Sequence, residues 1–255
     1  MMRVLRTFIV LFITTGAVLS QETIPLPAGI TAGLGIGNFG VTDQYISAAK
    51  YAGLTNNFYT RWDKDHQNSH TRIAFGYQYG EKIANHNVSA QVRQFSLRRA
   101  NLYPVATESL FSRDVAFYLG PSTESFIHLR RQQIASGGAA FRTSYSFAAL
   151  FSLGINGELV TPLSEKTGLR LGSNLSLLSA GLRIIDLTGE SNDSPLKLLI
   201  PFTGMTFSAN VSIDYRLHRR VALSTGYDLF VSRITAWENF LVASDNLFIS
   251  LRFFL

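Results

Sequence analysis

Residues 204–215, GMTFSANVSIDY, alternate with period two. Met205, Phe207, Ala209, Val211, Ile213 and Tyr215 fall on one side of an extended chain, and Thr206, Ser208, Asn210, Ser212 and Asp214 on the other. The same period runs through 71–79, 147–159, 221–232 and the last segment, NLFISLRFFL, and more weakly through 51–62, 88–98, 114–130 and 168–184. A glycine-rich candidate strand lies at 29–38. This is the signature of half-buried strands. Helical spacing is confined to TDQYISAAKYAG (42–53), where Thr42 is placed to cap a short helix. Connections alternate between tight (161–168, 216–220) and longer (131–141, 186–201, 234–245), with 99–113 read as a long connection on the tight side. Nine or ten strands are counted. An even number suits a single-chain barrel, so ten are expected, with eight as the alternative.

The polar alternates decide which face looks inward. They are Ser, Asn, Thr, Gly and single charges, and the whole chain is only 16% charged. A water-facing surface carries roughly 25–35% charged residues. The apolar alternates are Leu, Val, Ile, Phe and Tyr, which suits a lipid-facing band. Trp62, Tyr215, Trp237 and Phe253 fall near strand ends, where an aromatic girdle belongs. After residue 20 no apolar run approaches the ~20 residues of a spanning helix; LKLLIPF (196–202) is far shorter. Membrane residence then requires a closed barrel, because strands in lipid must satisfy every backbone group among themselves. The expected fold is all-β: a transmembrane antiparallel up-and-down β-barrel over 21–255, with both termini in the periplasm and the longer loops outside.

Residues 1–20 read as a secretory signal peptide. Arg3 and Arg6 give a basic start, Phe8–Thr14 a short apolar run, and Val18 and Ser20 a small-residue cleavage site. The sequence has no cysteine, which excludes a lipid anchor and a disulfide scaffold. The formal charge of +6 becomes +4 once Arg3 and Arg6 are removed, and no basic helix clusters it, so nucleic acid is not an expected partner.

The ending LRFFL, with a penultimate Phe254, resembles the C-terminal strand of bacterial outer-membrane β-barrel proteins, although the last residue is Leu255 rather than Phe. Gln21 and the phrase FYLGPS (117–122) resemble small barrels of Bacteroidota-type bacteria. The resemblance implies location in the outer membrane of a Gram-negative cell and recognition of the last strand by the barrel-assembly machinery. It carries over no catalytic residues.

Several clusters invite chemistry and are weighed against plainer roles. GIGNFG (35–40) matches G-x-G-x-x-G, but hairpins follow instead of a βαβ unit; a first strand that admits close neighbours is the better reading. DKDHQNSH (63–70) offers Asp63, Asp65, His66 and His70, yet the calcium-loop glycine and glutamate positions hold Asn68 and Ala74, and a solvated turn is expected. Ser122, Glu124, Ser125 and His128 supply nucleophile, orienter and base types; Ser122 shares a strand face with Glu124 and His128, and Ser125 does not. Four sequons (87–89, 174–176, 192–194, 210–212) are read as chance, since Asn174 and Asn210 fall mid-strand on the lumen side. No catalytic, cofactor or metal site is assigned.

The most informative polar feature is the inward set: Arg61, Arg72, Glu124, His128, Arg130, Glu158, Arg170, Asp214, Asp228 and Arg252. Both signs occur. Buried charges are costly unless paired, so a salt-bridged network filling the lumen is expected. The function expected is a porin-like but largely filled barrel, non-enzymatic, serving envelope structure or binding an envelope protein or surface ligand through its outer loops. A narrow small-solute channel, an outer-membrane lipid hydrolase or protease, and a soluble exported β-protein stay open as alternatives.

Overall fold

The computed structural model describes residues 26, 28–43, 47–85, 88–110, 113–135, 141–186, 196–200, 203–236 and 240–255; residues 1–20, expected to be a signal peptide, and Trp237 lie outside them. Among the described residues eleven strands follow in order: β1 (Gly29–Asp43), β2 (Ser47–His66), β3 (Ser69–Asn85), β4 (Val88–Leu110), β5 (Arg113–Ala135), β6 (Phe141–Pro162), β7 (Thr167–Asp186), β8 (Leu196–Leu199), β9 (Gly204–His218), β10 (Val221–Ile234) and β11 (Phe240–Phe254). Consecutive strands pair antiparallel from β1 to β8 and from β9 to β11, β9 pairs with β7 beside β8, and β1 closes on β11 from Gly29↔Phe254 to Asp43↔Phe240. Closure leaves no free sheet edge around the wall, which is what strands in lipid require.

Ten of these strands make the barrel. β8 and β9 pair one after the other with β7, Leu199 with Ser179 and Phe207 with Leu175. Gly204 N–H donates to the Ile200 carbonyl (2.8 Å) and Thr235 N–H donates to the Thr203 carbonyl (2.9 Å). The segment 196–199, read from sequence as part of a loop, is therefore barrel wall. Leu196 and Leu198 face out, and Leu199 is buried inside.

Three other local expectations are corrected. The helix at 42–53 is replaced by the end of β1 and the start of β2; strand pairing overrides the helix propensity of its alanines. The long connection at 99–113 is a hairpin, with β4 and β5 running to Leu110 and from Arg113. β3 stops pairing with β4 at Leu102, so the hairpin's tip projects past its neighbour. Pro104 sits there, next to a register shift, where β4 has no partner on its other edge to miss the proline's absent N–H. Most of 234–245 belongs to β10 and β11.

The alternation at 204–215 resolves as apolar side out. Met205, Val211, Ile213 and Tyr215 are exposed, while Thr206 and Ser212 are buried in the lumen. Every barrel strand contributes to the outer band: Leu34 and Ile36, Leu54 and Phe58, Ile73 and Phe75, Leu97, Ile127, Phe151 and Leu153, Leu171 and Leu175, Val211, Tyr227, and Leu247 and Ile249. Such a continuous apolar exterior far exceeds the patches of a water-soluble monomer. Exposed Tyr215 and Phe253 stand on the outer surface close to the end where β1 begins and β11 finishes, and Trp62 pairs there with Ile30.

Candidate functional site: the filled lumen

The interior is stacked in four levels. At the end holding Gly29 and Phe254, Leu26 turns into the mouth and packs with Ala100, Leu102, Ala116 and Tyr118. A belt of ion pairs lies above it. A polar chamber follows. An apolar plug closes the opposite end.

The belt is built from inward positions of seven strands. Asp63 of β2 is fully buried and receives Arg72 Nε (2.7 Å) on one oxygen, with His70 Nε2 3.1 Å from the same oxygen and Arg61 Nε 2.8 Å from the other. Arg72 reaches on to Glu158 of β6 with both terminal nitrogens, one of them donating to Oε1 at 3.3 Å. Arg170 Nε of β7 stands 3.2 Å from Glu158, and its NH2 stands 3.5 Å from Asp214 of β9. Arg252 NH1 of β11 donates to Asp214 (3.0 Å), and its Nε donates to Thr31 Oγ1 of β1 (3.2 Å). Thr31 is the register partner of Arg61, so the chain of contacts ends on the strand beside the one where it starts and winds round the lumen as a ring. Sharing Asp63, Arg72, Glu158, Arg170 and Asp214 between partners offsets the desolvation of the buried charges.

A second cluster borders the ring. Arg98 NH2 donates to Glu124 (2.7 Å), Asn174 Nδ2 donates to the other Glu124 oxygen (3.2 Å), and Ser122 Oγ donates to Asn174 Oδ1 (2.6 Å). With Asp228, this half of the lumen holds five arginines (61, 72, 98, 170, 252) and five carboxylates (63, 124, 158, 214, 228). Equal numbers of both signs give no basis for selecting anions or cations.

The chamber of about 220 Å³ is bounded by Asn57, Tyr59, Arg61, Arg98, Asn210, Asp228, Asn246 and Phe248, among others. It exists because β1 turns Gly33 and Gly37 inward. A Cβ on Gly33 would lie 2.5 Å from the Tyr59 ring, and one on Gly37 would collide with Asn246 Oδ1 at 2.2 Å. Gly37 of GIGNFG, with Gly33 before it, thus admits neighbouring side chains to the lumen, within an uninterrupted strand.

At the far end the inward positions become apolar. Phe39, Val41, Tyr51, Ile83, Val92, Phe126, Leu150, Leu199, Ile234, Phe240 and Val242 pack together with almost no exposure. His128 lies in this plug with its ring stacked on Phe39 (5.8 Å between centroids) and Phe126 (6.3 Å) and edge-on to Phe240 (5.7 Å). Arg130 stands over Tyr51 at 5.6 Å, and Arg183 over Phe240 at 5.3 Å. An all-polar lumen was expected, so the plug is a correction. Toward the longer loops the inward face is mainly apolar, with His128, Arg130, Arg183, Ser146, Thr206 and Ser232 buried among the hydrophobic side chains.

The ten residues picked from the alternation thus divide. Arg61, Arg72, Glu158, Arg170, Asp214 and Arg252 meet in the ring, Glu124 adjoins it through Arg98, and Asp228 faces the chamber. His128 and Arg130 lie in the plug. His128 is therefore apart from Ser122 and Glu124. Glu124 is occupied by Arg98 and Asn174, Ser122 by Asn174, and neither His128 nitrogen has a hydrogen-bond partner among the described residues. Among the described residues no base is positioned on Ser122, which acyl transfer would need. Asp63 and His70, expected in a solvated turn, belong to the lumen as well. The turn is only Gln67–Asn68, and Asp63 and His70 point into the lumen, while Asp65 and His66 are exposed. Asp63 has the same strand parity as Arg61, a signal the sequence did contain.

No protein-family model and no curated protein sequence matches this chain. Among solved structures, the outer membrane protease OmpT from Escherichia coli aligns with a TM-score of 0.51 at 9% identity, covering 92% of this chain and 99% of OmpT. The fold is that of an outer-membrane β-barrel. The translocator domain of the autotransporter NalP from Neisseria meningitidis aligns with the same TM-score at 12% identity, covering 90% of each chain. At such identities the outer-membrane barrel likeness concerns architecture alone, and the protease activity of one neighbour and the translocator role of the other are theirs.

Proposed function

We propose that this chain is an integral outer-membrane protein whose barrel is closed to solutes and which acts without catalysis, as an element of the envelope or as a scaffold for loops that meet an envelope protein or surface ligand. The outer apolar band and the terminal aromatics support residence in the membrane, with 1–20 as its export signal and β11 as the strand read by the assembly machinery. Both termini then lie in the periplasm, and the connections after β5 and β7 lie outside. The observation that carries the closed-lumen reading is the blockage at two levels, the ion-pair ring and the apolar plug. Water-filled barrels conduct because their interior is polar and open throughout.

The test is electrical. Purified protein inserted into planar bilayers is expected to give no discrete conductance steps in potassium chloride. Regular steps above the lipid baseline from the unaltered chain would overturn the closed-lumen reading and favour a small-solute channel.

A further inference from the structure

The chamber has two charged walls that do not touch. On one, β9, β10 and β11 set Asn210, Asp228 and Asn246 directly opposite one another in successive register pairs. The row ends at glycine on both sides, Gly172 opposite Asn210 and Gly37 opposite Asn246. Asn246 Oδ1 accepts a hydrogen bond from Asn57. Asp228 makes no hydrogen bond or ion pair with any described residue, although it lines the chamber. On the other wall are Arg61 and Arg98, whose charges act on Asp228 from beyond contact distance. Each is tied to a different carboxylate, Arg61 to Asp63 and Arg98 to Glu124, and Arg98 Nε is left without a partner. Gln94 and Asn156, each 6% exposed, line the same space with their side-chain oxygens unpaired, as does Asn210 Oδ1. Buried polar atoms are rarely left unpaired. Here four of them surround a space far larger than the ~10–15 Å³ that a single water needs.

We propose that the chamber binds a small zwitterion, one molecule carrying an ammonium and a carboxylate. The ammonium sits at Asp228 between Asn210 and Asn246, and the carboxylate sits toward Arg98 and Arg61. A lone cation would meet the two guanidiniums, and a lone anion would meet Asp228. Either would also add net charge to a half of the lumen that holds five arginines and five carboxylates, which is costly in a poorly solvated space. A neutral molecule with separated poles satisfies both walls and adds none. This goes beyond loop-mediated binding and does not depend on where the barrel resides.

The test uses the whole protein refolded from urea into detergent micelles in the presence of each probe, so that access through the closed ends does not limit binding. The probes are glycine, β-alanine, 4-aminobutyrate and 6-aminohexanoate, with methylamine and acetate, separately and together, as controls. Equilibrium dialysis and the thermal midpoint are read. At least one chain length is expected to bind at one molecule per chain and raise the midpoint, while the controls do neither. Asp228→Asn and Arg98→Gln are each expected to weaken that binding at least tenfold. If Asp228→Asn fails to refold, Asn246→Ala serves in its place with the same expectation. Binding of none of the four probes, equal binding of methylamine or acetate, or unweakened binding in the folded variants would each overturn the proposal. The bilayer recordings above are untouched by these outcomes, so failure here is distinguishable from failure of the closed-lumen reading.

Discussion

Replacing Asp63 by alanine is expected to destabilise the folded barrel by about 3–5 kcal/mol, the cost of removing one partner from a buried ion pair and leaving the other charge behind. Asp63 has no exposure and is shared by Arg61, His70 and Arg72. Its loss strands Arg61 and leaves Arg72 with Glu158 alone. The measurement is urea unfolding in micelles followed by fluorescence of the chain's two tryptophans. Asp63→Asn, which keeps the size and one acceptor oxygen, is expected to cost less. Glu158→Gln combined with Asp63→Asn is expected to be non-additive by about 0.5–3 kcal/mol, because both residues act on Arg72. A loss of only ~0–1 kcal/mol for Asp63→Ala is the value for solvated pairs and would mean that water fills the ring.

The second large effect concerns the outer face. Ile249 lies mid-strand on β11, 56% exposed, with Leu34 and Thr225 opposite it on the neighbouring strands. Ile249→Arg is expected to cost about 2–4 kcal/mol when the barrel is refolded into lipid vesicles, the value for arginine at the bilayer midplane. Leu217→Arg, equally exposed but beside the Arg219–Arg220 turn, is expected to cost ~0–1 kcal/mol. On a surface facing water, neither change would exceed roughly 0.5 kcal/mol. The depth dependence, more than either value, distinguishes lipid from water as the solvent of this face.

Strand identity and lumen parity were legible where the two faces differ in polarity. In β9, β10 and β6 the alternation separates Val211 and Ile213 from Ser212 and Asp214, and Phe151 and Leu153 from Ser152, so the inward set could be named residue by residue. The signal fades where both faces are apolar. In β1, Phe39 and Val41 point into the plug although Leu34 and Ile36 point outward, and nothing in a local pattern tells one apolar surrounding from the other. It also fades at bulges. β7 shifts register near Leu177, so the inward parity passes from even (Arg170, Asn174, Ser176) to odd (Ser179, Arg183). The β4–β5 tip reads as a loop because it projects beyond its neighbour and lacks a sustained two-faced pattern. Which lumen charges meet was not legible at all. Arg72 and Glu158 are 86 positions apart and joined across the lumen by closure of the barrel, a non-local event.

The central claim is that the apolar face of this barrel meets lipid and its polar face is inside. The most direct test is a gel of the isolated outer-membrane fraction, run with and without boiling. A closed barrel held by a continuous backbone ladder should stay folded in mild detergent and change mobility only when heated. The chain is expected in that fraction with a heat-dependent shift. A band released to the soluble periplasm without detergent, with the same mobility boiled or not, would contradict it and turn Met205, Val211 and Ile213 into the core of a water-soluble β-fold.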